Sequence, residues 1–396
     1  MKKTAATILV VLFCLPALLP AQTAEADEAY IKAMTATSPA ERAQLLKDYI
    51  AKYAGKGTKY ENFAYANLSM SPYPGKTAKE TIEYGEKALA LGGLDDMTKS
   101  QLLIQLSAIY GDQGQNIERA KALANQVIEL ARAAKAKESD PAAANQWNML
   151  VGAGTFALGQ AAEKGRDFKG ALDAYLGSYA ILKNPQILSC IKKLGKTLYD
   201  AKAYADAERA FKLAYQTSKD FDSTAFYAKS LYRNSKKDEA LVLLKEAYAK
   251  QKNGEIAYNI GIILAGNVKT NPALSGEAVR YLLDASVLSP TNAQQAMSLA
   301  ESLYFNSNKD SKYNENVQQM EAINQKIEAL TKTYNAKIEG KDEEDLDEAA
   351  KKELKTLLAS IEAEKKNLER LQQAQELVVA QFNKLIEETK QRLGAR

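Results

Sequence analysis

The chemistry open to this chain is limited first by what it lacks. Its 396 residues contain no histidine, so the commonest general base at neutral pH, the commonest zinc ligand and the usual partner of a catalytic serine are missing. Gly152 and Gly154 form a GxG, but inside an alanine-rich helical pattern with no strand before it, unlike a dinucleotide-binding turn. The acidic run DEEDLDE, from Asp342 to Glu348, lacks the spaced oxygen ligands and the glycine of a calcium loop. It suits the start of a following helix, where the helix dipole favours negative charge. HExxH, CxxC, GxxxxGK[ST] and GxSxG are all absent. Neither a metal nor a cofactor is expected, and the chain reads as a non-enzyme. The polar groups left over are mainly lysine, glutamate and tyrosine, with 21 tyrosines that all fall between Tyr30 and Tyr334.

The first residues belong to transport and not to any site. Lys2 and Lys3 precede an apolar run from Ala5 to Leu19, broken by Pro16, and the small-residue pattern AEA at Ala24 to Ala26 follows. This is the layout of a bacterial export signal over residues 1–26, with cleavage expected after Ala26 and the product in the periplasm or secreted. The run is too short and too broken by proline for a good membrane span, so no stable insertion is expected after cleavage. Phe13 stands before Cys14 where lipid attachment wants a small residue. Cleavage leaves Cys190 as the one cysteine, which excludes an intramolecular disulfide. It also removes Lys2, Lys3 and Glu25 from a chain of net charge +4, leaving +3, too weak an excess for a dedicated nucleic-acid binder.

The elements that must position the lysines and tyrosines repeat. Gly195 is followed twelve residues later by Ala207, then by Phe211 and Ala214. Gly159, Ala171, Tyr175 and Ser178 stand at the same spacing one unit earlier, and Ala228, Ala240, Leu244 and Ala247 one unit later, at offsets of 36 and 33. A fourth unit carries Gly261, Ala278, Leu282 and Ala285, stretched by five residues at GNVKTNPALS and closed by Pro290. Small residues at such places let two helices cross at close range, and a larger side chain fills the groove beside them. The pattern resembles the tetratricopeptide repeat, a helical pair of about 34 residues. Upstream, SPAE at Ser38 to Glu41 holds a capping serine, a proline at the first helical position and a glutamate placed for a capping box. About seven helical pairs are expected before residue 305.

After about Lys309 the composition turns to Glu, Lys, Gln and Leu. Val317, Met320, Ile327, Leu330, Tyr334 and Ile338 form one stripe; Leu354, Leu357, Ile361, Leu368, Leu371, Val378, Phe382 and Leu385 form a second. A helical hairpin is expected, with arms over about 313–339 and 343–393. The shorter arm covers the longer one only to about Leu371. Val378, Phe382, Leu385 and Ile386 are therefore expected to dock on the last helical pairs, the alternative being a seam for a second copy of the chain.

The fold class is thus all-α: a tetratricopeptide-like superhelical array of antiparallel helix pairs over 27–309, clearest over 141–305, then a long C-terminal helical hairpin over 310–396. The resemblance implies that partners bind on the face made by the first helix of each pair. Counting from the small landmark, that face holds Phe156, Gln160 and Glu163; Lys192, Lys196 and Tyr199; Ala225, Lys229 and Tyr232; and Tyr258, Ile262 and Ala265, with Arg233 and Asn259 beside them. Lysines among tyrosines suit a protein or peptide partner, in particular an extended acidic segment. The function expected is a non-enzymatic scaffold in the bacterial envelope; the alternative is a structural protein that self-assembles through its tail. Some tetratricopeptide proteins grip a C-terminal carboxylate with a Lys/Asn/Arg set, which Lys192, Lys229 and Asn259 match only loosely.

Overall fold

A computed structural model describes residues 20–114, 116–307, 312–340 and 346–394; most of the export signal lies outside the described residues. All regular elements among these residues are helical. In chain order they are α1 (Pro20–Thr35), α2 (Pro39–Tyr53), α3 (Glu61–Met70), α4 (Ala78–Leu91), α5 (Asp96–Gln113), α6 (Ile117–Lys137), α7 (Pro141–Lys164), α8 (Phe168–Leu182) and α9 (Pro185–Asp200). There follow α10 (Tyr204–Ser218), α11 (Phe221–Arg233), α12 (Lys237–Lys250), α13 (Gly254–Asn267), α14 (Ser275–Leu288), α15 (Ala293–Ser307), α16 (Tyr313–Ile338) and α17 (Glu348–Leu393). Two compact units result, residues 1–206 and 207–396, with the division inside α10.

In the first unit α1 packs on α2, α3 on α4, α5 on α6 and α7 on α8. In the second, α11 packs on α12, α13 on α14 and α16 on α17. Fourteen α-helices and one short 3-10 helix, Pro272–Leu274, precede α15 among the described residues. Helix starts follow the capping chemistry of the sequence. Ser38 accepts a hydrogen bond from the Glu41 amide at 3.5 Å with Pro39 behind it, and Thr77 and Glu80 complete a reciprocal capping box on α4. Asp140, Asn184, Asp220 and Asn253 cap α7, α9, α11 and α13 in the same way. Ala24 to Asp27 lie within α1, and Ala26 is buried with Tyr30 and Ala33.

The small landmarks sit where helices cross. A Cβ on Gly159 of α7 would stand 2.6 Å from the Tyr175 ring of α8, and one on Gly261 of α13 would stand 2.6 Å from Leu282 of α14. Both distances are far inside van der Waals contact, so only glycine permits the approach. Ala228, Ala240, Leu244 and Ala247 are fully buried in the second unit, as are Ala207, Phe211 and Ala214. The Phe211 ring stacks on Phe226 of the next helix at 5.0 Å. The turn inside the pair also recurs in form. Gly165, Arg166 and Asp167 donate their amides to Ala161, Glu163 and Ala162, and the pattern returns at Ala201 to Ala203 and at Asn234 to Lys236. In each case the middle residue is left-handed: Arg166 at φ 61, Lys202 at φ 63 and Ser235 at φ 64.

The hairpin has the expected arms. Lys326 pairs with Glu364 and Lys337 with Glu353, so eleven residues forward on α16 are eleven back on α17, an antiparallel register. One expectation is corrected. Val317 is 42% exposed, and the α16 seam runs through Asn316, Met320, Ile323, Ile327, Leu330 and Tyr334, in alternating steps of four and three. The seam position next to Val317 is taken by a polar residue, Asn316, which is buried. Beyond Gln375, whose side chain donates to the Tyr313 carbonyl at 2.9 Å, α16 no longer covers α17. The end of α17 docks within its own chain: Phe382 is 4% exposed in the core built by α11 to α15, with Leu385 and Ile386 against the same core.

Candidate partner-binding surface

Helix α9 owes its position to one buried stripe. Ile187, Ile191, Leu194 and Leu198 are buried at steps of four, three and four, and Gly195 is buried beside them. This leaves Lys192, Lys196 and Tyr199 together on the adjoining face, all half-buried, with the Tyr199 ring 5.3 Å from Tyr204. On α7, Phe156 and Gln160 are half-buried, and the Phe156 ring lies 5.6 Å from Tyr175. Glu163 is turned to its own pair, accepting a hydrogen bond of 2.6 Å from the Tyr175 hydroxyl. Burial first, and then that carboxylate, push the Tyr175 phenol well above its ordinary range. Cys190, two residues before Lys192, is half-buried, and its thiol is likewise pushed up, by burial and then by the nearby Glu163. A thiol raised in this way is a poor nucleophile, in keeping with a packing role.

In the second unit one of the expected residues is already engaged within the chain. The Lys229 side chain is only 13% exposed, with Nζ 2.7 Å from Glu255 Oε1 on α13 and 5.1 Å above the Phe226 ring. Its charge is answered within the chain, which makes it a link between α11 and α13 more than an open ammonium. Ala225 is buried, and Tyr232 and Tyr258 are half-buried against the core. Asn259, Ile262 and Ala265 are half-buried, and Arg233 is exposed at the end of α11. The repeat spacing does not single out Glu255; an acidic residue in the first turn of α13, the next first helix, is the available signal.

A second set of polar contacts joins second helices. The Tyr215 hydroxyl of α10 donates to Glu246 of α12 at 2.8 Å, and that of Tyr248 on α12 donates to Asp284 of α14 at 2.7 Å. Glu208 accepts from Asn234 at 2.7 Å and from Lys236 at 2.6 Å. Of the acidic run after the first arm, Asp347 caps α17 by accepting from the Ala350 amide at 2.7 Å, and residues 342–345 lie outside the described residues. Among the described residues no three or more Cys, Asp or Glu side chains gather as a metal site needs, and no helix is long and apolar enough to cross a membrane.

No family model and no curated protein matches the chain. Among solved structures, the apo form of RapI matches at 13% identity over 83% of this chain and 99% of that one, with a TM-score of 0.34. The TPR2AB domain of yeast Sti1, solved as a pHSP90 complex, matches at 17% identity over 62% and 97%, with a TM-score of 0.26. A thermophilic TPR protein of Thermus thermophilus matches at 17% identity over 61% and 98%, with a TM-score of 0.20. Superpositions this loose decide nothing by themselves. The glycine crossings, the recurrent turn at Arg166, Lys202 and Ser235, and the consecutive helix pairs make the chain an all-α, tetratricopeptide-like repeat array in fold.

Proposed function

We propose that this chain is an exported, non-enzymatic scaffold that holds a protein or peptide partner on the first-helix faces of its repeats, the partner segment being acidic. The observation that carries this reading is the face of α9, where Lys192, Lys196 and Tyr199 stand half-exposed one turn apart beside a fully packed stripe. Long amphipathic side chains held on a rigid helix lose little freedom on binding, and two lysines one turn apart match carboxylates along an extended strand of peptide. Phe156 and Gln160 on α7, and Tyr258 and Asn259 on α13, extend the same kind of surface within their own units. A partner reaching Lys229 has to displace its ion pair with Glu255.

The test is affinity capture from bacterial envelope extracts on the immobilised chain, read by quantitative mass spectrometry, against the double variant Lys192→Glu with Lys196→Glu. A specific protein enriched by the wild type, lost from a variant that melts normally, and released as salt rises is the expected result. Capture unchanged by the folded double variant would move the surface elsewhere. N-terminal sequencing of the exported product tests the cleavage after Ala26.

A further inference from the structure

Where the end of α17 packs on α14, a cavity of about 380 Å3 is left between the two helices. That is room for a small organic molecule, at the lower end of the range of about 300–1,000 Å3 usual for such sites. Each wall is one helix face, with residues at steps of three and four. Gly276, Val279, Arg280 and Leu283 come from α14, and Leu385, Glu388, Thr389 and Arg392 come from α17. A Cβ built on Gly276 would meet nothing within 4 Å, so the space at that end is open.

Two polar groups on these walls are unused among the described residues. Thr389 is only 5% exposed, yet its hydroxyl makes no hydrogen bond there. A polar side chain this buried ordinarily has a partner. Arg280 makes no ion pair among the described residues, and its guanidinium lies 4.3 Å from the centre of the Tyr281 ring. Stacking of this kind fixes the guanidinium plane and leaves its N–H edge available. The other charges on the walls are answered, Arg392 by Asp284 and Glu388 by Lys384 at 3.8 Å. The charge left over is therefore one positive charge, at Arg280.

We propose that this cavity binds a small monocarboxylate with a branched aliphatic body. The carboxylate is held by Arg280 and Thr389, and the alkyl part lies against Val279, Leu283 and Leu385. A planar carboxylate matches the fork of a guanidinium and takes a further hydrogen bond from a hydroxyl. A single unanswered cation suits a single negative charge, whereas a phosphate dianion exceeds it and leaves the three aliphatic side chains without a counterpart. An amine is repelled by Arg280. Because the ligand touches both helices, it also ties the end of α17 to α14, so binding stabilises the fold. This inference goes beyond the scaffold reading and does not depend on any protein partner.

A ligand-observed NMR titration of the full chain with 4-methylpentanoate tests this, with 4-methylpentanamide and inorganic phosphate as controls. The acid is expected to bind one site at about 1 mM or tighter, and the two controls at least about tenfold more weakly. Arg280→Gln should weaken the acid about tenfold and Thr389→Val about threefold, in chains that melt like the parent. Gly276→Leu, which fills the open end of the cavity, should abolish binding and keep the fold. No binding of the acid up to about 20 mM, or equal binding of the amide or of phosphate, would overturn the proposal. Binding that survives both Arg280→Gln and Gly276→Leu would do the same, because the acid would then sit elsewhere.

Discussion

The helix pairs and the C-terminal arm solve one problem, burying one helix against another, by opposite means. In two of the pairs the backbones approach until glycine is the only residue that fits, at Gly159 under Tyr175 and at Gly261 under Leu282. In the arm, α16 and α17 meet through side chains at steps of three and four, with Ile323, Ile361 and Leu371 buried and polar Asn316 and Gln375 admitted to the seam. Close approach concentrates the packing on a few positions that tolerate nothing larger. A seam of side chains spreads it over many, each of which can be exchanged.

The largest expected effect tests that difference on a single helix. Gly261→Leu should destabilise the chain by about 3 kcal/mol, since Leu282 and the α14 backbone stand where the new side chain must go. Gly266, five residues on in the same helix, has open space around its Cβ position, and Gly266→Ala should stabilise by about 0.5 kcal/mol. Urea unfolding measures both. Similar values would mean that α13 and α14 are not in the close contact described.

The junction of the two packing styles comes next in size. Arg392→Ala leaves the buried Asp284 carboxylate with Tyr248 as its remaining donor. A loss of about 1 to 2 kcal/mol is expected, discounted because the arginine itself is 41% exposed. Arg392→Ala combined with Asp284→Asn should recover part of it, which a thermodynamic cycle on the four proteins can read. A purely additive result would separate the two residues.

What is legible in the sequence follows the same division. Steric demands at Gly159 and Gly261 leave a mark that a single chain can show, because a side chain there would meet Tyr175 or Leu282; so do caps such as Ser38. The hairpin arms and the docking of Phe382 are legible from the lengths of two stripes. Contacts that depend on which side chains meet in space are not. Lys229 reads as an open charge because Glu255 lies on another helix, and Arg392 finds Asp284 across 108 residues. Val317 reads as a seam residue because it is apolar, whereas the register given by Ile323 and Ile327 puts Asn316 there. The turn residues Arg166, Lys202 and Ser235 give no signal at all, being neither glycine nor asparagine.

A smaller effect concerns the helix starts that both regions share. Asp95 caps α5, accepting from the Thr98 amide at 2.9 Å, and this hydrogen bond holds its carboxyl below the usual carboxylate range. A folded pKa below the unfolded one means the stabilisation is present above the unfolded value and is lost as pH falls through the folded value. Asp95→Ala should cost about 1 kcal/mol at neutral pH. The gap between variant and parent should close on acidification; a gap that stays constant to low pH would assign the effect to packing.

The smallest effect is a gain, and it bears on the turns that make pairs out of helices. Arg166, Lys202 and Ser235 each hold a left-handed conformation so that three successive amides can reach back into the preceding helix. A side chain in that region meets its own backbone, at a cost of about 1 kcal/mol or more that glycine avoids, although glycine gives back part of this through its freer unfolded state. Arg166→Gly and Ser235→Gly should therefore each stabilise by about 0.5 kcal/mol in urea titrations. The two sites lie in different units and share no partner, so their gains should add. Gly340, already left-handed at φ 72 after the first arm, offers the reverse test: Gly340→Ala should cost a similar amount, but in the protection of the arm and not in the melting of the pairs. A loss of stability on introducing glycine at Arg166 or Ser235 would mean that these turns do not adopt the left-handed form, and the repeated closure that defines each pair would fall with it.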